Sequence, residues 1–99
     1  MIIVTAKAAV RSESVPGFEA LLKPLIDASR SAEGCISYEV YKNVESGTNW
    51  FFFEKWATQL DFEEQMQTKP VLDFLASVQP MLSAPAEMKQ YTVAGIGPK

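Results

Sequence analysis

From Ile2 to Val10 every even position (Ile2, Val4, Ala6, Ala8, Val10) is apolar, while the odd positions include Thr5 and Lys7. That period of two, with β-branched residues and no Gly or Pro, predicts a first strand. After the connection Arg11–Gly17, apolar residues fall at 18, 21, 22, 25 and 26. This is the spacing of one helical face, and it predicts a helix ended by Gly34 as a left-handed cap. Pro24 removes one helical amide but stands off the apolar stripe, so a bend is expected and not a break. Cys35–Asn43 alternates again, with Ile36, Tyr38, Val40 and Tyr41, and reads as a second strand. Turn residues Glu45-Ser-Gly47-Thr then lead into Asn49–Ala57, the most aromatic segment, so the two strands form an antiparallel hairpin. Thr58 followed by Asp61 resembles a capping box and opens a helix through Leu60, Phe62 and Met66. Thr68 and Pro70 restart it, placing Val71, Phe74, Leu75 and Val78 on one face. After a loop around Pro80 and Pro85, Met88–Val93 reads as a last strand.

The order β-α-β-β-α-β is the split βαβ arrangement, an α+β, ferredoxin-like fold with a four-stranded antiparallel sheet. Residues 1–94 are expected to form a single domain and 95–99 a flexible C-terminal tail. The third strand adds a constraint. Trp50, Phe52 and Trp56 point one way and Phe51 and Phe53 the other. An aromatic side chain carries roughly 150–250 Å² that favours burial, and the chain's own helices can shelter only one side of the sheet. A second copy of the sheet is the simplest cover for the other, which predicts a homodimer. The pattern leaves open which side faces the helices.

Composition narrows the function. The 99 residues hold 12 acidic and 9 basic side chains, a net charge of −3, with no basic run to meet phosphates, so nucleic acid is not an expected partner. The opening apolar stretch is too short for a signal-peptide core, and nothing reaches the ~18 apolar residues of a membrane span. A single cysteine, Cys35, is consistent with a reducing, cytoplasmic setting and reads as a small buried hydrophobe more than a nucleophile. The sequence has no histidine, which excludes Ser-His-Asp and Cys-His catalysis and histidine-based zinc sites. Glu63-Glu64 is a solvated helix face, and Gly95-Ile-Gly97 precedes no helix, so neither a metal site nor a phosphate loop is implied. Two side chains stand out. Trp56 needs a partner for its indole N–H, and Glu54, set between Phe52 and Trp56, must be ion-paired, hydrogen-bonded or at the mouth of a cavity.

Ile2-Ile-Val-Thr-Ala-Lys7, Leu25–Arg30, Glu33-Gly-Cys-Ile-Ser-Tyr38, Phe51-Phe-Phe-Glu54-Lys-Trp56 and Tyr91-Thr-Val93 together resemble the antibiotic biosynthesis monooxygenase domain family, with small quinol monooxygenases nearest in pattern. The resemblance implies a dimeric α+β barrel and a pocket between sheet and helices. In that pocket an electron-rich aromatic such as a quinol reacts with O₂, with no cofactor and no metal. On the matched positions Trp56 and Glu54 take the catalytic roles, and Phe52, Tyr38, Gln65 and Met66 are expected to bind the substrate, Gln65 at a matched position with changed chemistry. Gln65 and Pro70 stand where the family usually has histidines, and Phe52 where some members have asparagine. The first change removes the obvious base and disfavours haem cleavage. Three other functions fit the same elements: a non-catalytic dimeric module that binds small ligands, a cofactor-free isomerase or lyase, and a ligand-free interaction domain.

Overall fold

The computed structural model describes residues 1–94; the tail expected at 95–99 lies outside the described residues. The elements in chain order are β1 (Ile2–Ala9), α1 (Val15–Arg30), β2 (Cys35–Lys42), β3 (Asn49–Trp56), α2 (Gln59–Met66), α3 (Lys69–Val78) and β4 (Glu87–Thr92), with short 3₁₀ turns at Ser12–Ser14 and Gln79–Met81. The four strands make one sheet in the order β2-β3-β1-β4, and every neighbouring pair is antiparallel. This is the ferredoxin-like fold that the order of apolar periods predicts.

The helices lie on one face of the sheet. Trp50, Phe52, Glu54 and Trp56 of β3 are buried beneath them, while Phe51, Phe53 and Lys55 on the opposite face are only half-buried. The even residues of β1 share the covered side, with Ile2, Val4 and Ala8 buried. Aromatic rings fill the interface. Phe18 of α1 sits 5.2 Å from Trp50 and edge-on to Phe52 at 6.5 Å, centroid to centroid. Such offset and T-shaped pairs suit the ring quadrupoles and add to the gain from burial.

Helix α1 buries Phe18, Leu22, Leu25 and Ser29, with Leu21 and Ile26 packed on its flanks. Pro24 lies inside this helix on its solvent side, and the helix continues past it. Gly34 does not cap α1, as the sequence suggested. The helix ends at Arg30 with Ser31 as its cap residue, and Gly34 bends the following turn into β2 with φ +83°. A Cβ there would run into the Asp61 side chain, so two constraints select glycine at this one position. The β2–β3 connection is organised by Asn43, whose Oδ1 accepts from the amides of Glu45 (2.7 Å) and Ser46 (3.1 Å). Thr58 caps α2 by accepting from the Asp61 amide at 3.1 Å. After α3, the Ser83 amide donates to the Ala9 carbonyl at 2.9 Å, tying the loop that leads to β4 back to the end of β1.

Candidate active site

A cavity of about 830 Å³ lies between the covered face of the sheet, α3 and the loop that precedes β4. Its floor comes from β1 and β3, where Ala6, Ala8 and Phe52 project from neighbouring strands. Phe18 and Phe74 close the sides, and Met66 from the end of α2 adds another apolar surface. The polar side chains Tyr38 and Glu54 face each other at one end, because β2 and β3 pair them in register.

Glu54 is 6% exposed and sits among aromatic rings. Burial pushes its carboxyl up to about 7 from an ordinary 4.5, against a smaller opposing pull from its hydrogen bond with Trp56. The Trp56 indole N–H donates to Glu54 Oε1 at 3.0 Å. Residues i and i+2 of a strand share a face, so the Glu-x-Trp spacing puts the long indole within reach of the carboxyl. Among the described residues no salt bridge reaches Glu54. Of the possibilities open in the sequence, the carboxyl is hydrogen-bonded and also forms part of a cavity wall. Tyr38 is 6% exposed; burial first, and the Glu54 charge second, raise its phenol well above the usual range. It therefore stays protonated as a donor at neutral pH. Cys35 is shifted the same way by burial and then by Glu54, so its thiol is a poor nucleophile.

The structure brings together four of the six residues singled out in the sequence, with Glu54, Tyr38, Phe52 and Met66 all on the cavity wall. Trp56 is fully buried behind the wall and reaches the cavity only through Glu54. Gln65 is turned away. Its Nε2 donates to Ser29 Oγ at 3.2 Å, and its side chain borders a separate cleft of about 350 Å³. Ser29 is fully buried and lowers the Tyr38 phenol slightly against the upward push of burial, so Gln65 and Ser29 form a polar pair near the Tyr38 end of the cavity. Sequence reading missed Ser29, although a signal was present: it extends the buried series 18, 22, 25 as a polar residue on an apolar stripe. The walls Ala6, Phe18, Phe74, Leu75 and Met88 were also missed as lining residues. In the sequence each fits the apolar face of its own helix or strand, which packing alone would explain.

The arrangement offers an aromatic slot, a donor that keeps its proton and a carboxyl that titrates near neutrality. It can take a proton from a bound hydroxyl and steady the resulting oxyanion. The antibiotic biosynthesis monooxygenase family model matches residues 1–77. An uncharacterised protein of Synechocystis sp. is 32% identical over 93 residues, which cover 94% of this chain. The chain spans only 63% of that relative's length. A Mycobacterium tuberculosis protein named as a candidate monooxygenase is 26% identical over 84 residues, covering 85% of this chain and 82% of the relative. Among solved structures, a conserved protein from Methanosarcina mazei Go1 superposes with a TM-score of 0.87 at 28% identity, covering 91% of this chain and 89% of that one. No helix among the described residues is long and apolar enough to cross a membrane. With the family model matched across β1 to α3, this chain belongs to the antibiotic biosynthesis monooxygenase family.

Proposed function

We propose that the chain is a cofactor-independent monooxygenase that oxidises a small hydroxylated aromatic, of quinol type, with O₂. The observation that carries this reading is Glu54, held by the Trp56 indole and facing Tyr38 at the polar end of an aromatic cavity. The substrate ring lies among Phe52, Phe18 and Phe74, with a hydroxyl directed at Glu54. Glu54 takes the hydroxyl proton, and Tyr38 donates to the oxyanion that forms. Deprotonation makes the ring electron-rich enough to reduce O₂. For a quinol the balance closes without a further reductant. One oxygen atom replaces a ring C–H hydrogen, the other leaves as water, and the four electrons that O₂ accepts come from the quinol as it becomes a hydroxyquinone. Trp56 orients the carboxyl, Met66 packs against the ring, and Gln65 acts through Ser29 and Tyr38.

The same reading takes the functional unit to be a homodimer. Phe51 and Phe53 are half-buried on the uncovered side of the sheet, and Tyr41 beside Phe51 and Tyr91 on β4, on the same side, are 55% and 49% exposed. Apolar surface of that extent on a small domain favours a second copy of the sheet as its cover. The unpaired, half-buried Cys35 suits a reducing, cytoplasmic setting.

The histidine-free wall favours one alternative, a dimeric module that binds aromatic ligands without turning them over. Oxygen uptake with a panel of quinols separates the two. The wild type is expected to consume one O₂ per quinol, and Glu54→Gln to turn over 10²–10⁴-fold more slowly, the usual worth of a general base. Ligand binding with no uptake by the wild type assigns the module instead. Product formed under strict anaerobiosis assigns an isomerase or lyase.

A further inference from the structure

The cavity is much longer than a single ring, and the strand register says why. Phe52 of β3, Ala6 of β1 and Met88 of β4 stand in one row across the sheet, and all three line the cavity. Tyr38 on β2 marks the polar end, so the floor runs beneath the whole four-stranded sheet from β2 to β4. Three strand spacings of ~4.8 Å make this roughly 14 Å. One phenol ring spans little more than the first spacing and fills only a fraction of about 830 Å³.

Beyond that first spacing the strands supply only apolar side chains, Ala6, Ala8 and Met88, while Gln79 and Ser83 border the cavity from the segment that leads to β4. The covered face of β1 reads Ile2, Val4, Ala6, Ala8, Val10, so the two residues beneath the cavity are the two smallest. They leave a trough between Phe52 and Met88. The trough does not close at the far side. Leu75 and Met88 line it and are still 39% and 47% exposed, so its apolar surface continues out between α3 and β4. A compact ring system would call for an enclosed far wall, whereas a chain can follow an open one. Distinct polar and apolar ends, joined by a narrow floor of small residues, match an amphiphile laid head to tail.

We propose that the substrate is a phenol or quinol bearing a linear apolar tail, which lies over Ala6 toward Met88, with Ala6 setting the length admitted. This rests on the reading of Glu54 and Tyr38 as the hydroxyl-binding end. The two spacings left beyond the ring, ~9.6 Å, admit a tail of roughly eight carbons, because an extended zigzag of ~1.5 Å bonds advances only ~1.25 Å per carbon.

Isothermal titration of 4-n-alkylphenols, from ethyl to decyl, reads the trough directly and needs no turnover. Affinity is expected to rise about three- to fourfold per methylene, the equivalent of about 0.8 kcal/mol per buried CH₂, and to level off near octyl. Ala6→Leu is expected to bring the plateau in by several carbons while leaving 4-ethylphenol affinity within about twofold. Met88→Ser, at an exposed rim position where folding is not at stake, is expected to weaken 4-octylphenol alone. Affinity that is flat with chain length overturns the proposal. So does an equal loss for ethyl and octyl probes in Ala6→Leu, or a Met88→Ser protein that binds 4-octylphenol as the wild type does. The two readings fail separately. Chain-length-dependent binding without O₂ uptake from any quinol removes the oxidation and keeps the tail. Uptake with short quinols beside a flat binding series keeps the oxidation and removes the tail.

Discussion

Replacing Glu54 by Gln is expected to make the protein more stable than the wild type at neutral pH, by a margin that shrinks as the pH falls. In the folded chain burial holds the carboxyl near 7, against an ordinary 4.5. Between those values the unfolded chain has released a proton that the folded chain still binds. The unfolded state then carries fewer protons, so stability decreases as the pH rises, by up to ~1.4 kcal/mol per pH unit. Integrated from pH 5 to pH 8, the Glu54 contribution falls by about 2.5 kcal/mol. Gln cannot ionise, has nearly the same shape and keeps an oxygen for the Trp56 indole N–H, so the variant loses this pH dependence and little else. Urea unfolding of both proteins at the two pH values measures the difference. With an m-value of ~1–3 kcal/mol/M, the variant's midpoint should gain about 1 M or more on the wild type between the acidic and the alkaline series. Parallel curves, with the same pH dependence in both proteins, would mean that Glu54 ionises in the fold as it does in water. The assignment of a base poised near neutrality would fall with it.

Trp56→Phe removes the N–H that favours the ionised carboxyl and leaves a cavity in the core. It should cost about 1–3 kcal/mol and move the acidic limb of the pH–rate profile upward; an unmoved limb would separate Trp56 from Glu54. Gly34→Ala must accept φ +83° with a Cβ against Asp61, so a loss of at least ~1 kcal/mol is expected, seen as a Tm lower by ~4–8 °C or more. An unchanged Tm would show that the turn relaxes freely. Phe53→Lys places a charge on the uncovered side of the sheet and should convert the sedimenting species to a monomer at micromolar concentration without loss of secondary structure. A wild type already monomeric there would refute the dimer.

The fold was legible because two periods are kept strictly along the chain. Period two over β1 and β3 and the helical spacing over α1 each leave little freedom once one face must be buried. The boundary at Gly34 was misread for a definable reason. A left-handed glycine soon after a helix usually marks its end, but here it is required by a tight turn against Asp61, a residue distant in sequence. The cavity was less legible still. Its length comes from the register that aligns Phe52, Ala6 and Met88, and cross-strand register is fixed by pairing that no single segment encodes. Gln65 shows the same limit from the helical side. It occupies a matched position, but α2 turns its amide toward Ser29 and away from the cavity.

The one functional feature that could be read in advance was energetic. On a strand with period two, Phe52, Glu54 and Trp56 must share a face, and two of the three are large rings. Whatever buries the rings must also bury the carboxyl. In the fold this costs the Glu54 proton its easy release, and among the described residues the charge receives one hydrogen bond in compensation, from the Trp56 indole. A small domain holds only ~5–15 kcal/mol of net stability, so a penalty of about 2.5 kcal/mol at one side chain is a large share of it. Glutamine would satisfy the same indole without that cost. A carboxyl at this position is explained by what an ionisable group can do beside Tyr38 in an aromatic cavity, and packing alone gives no reason for it.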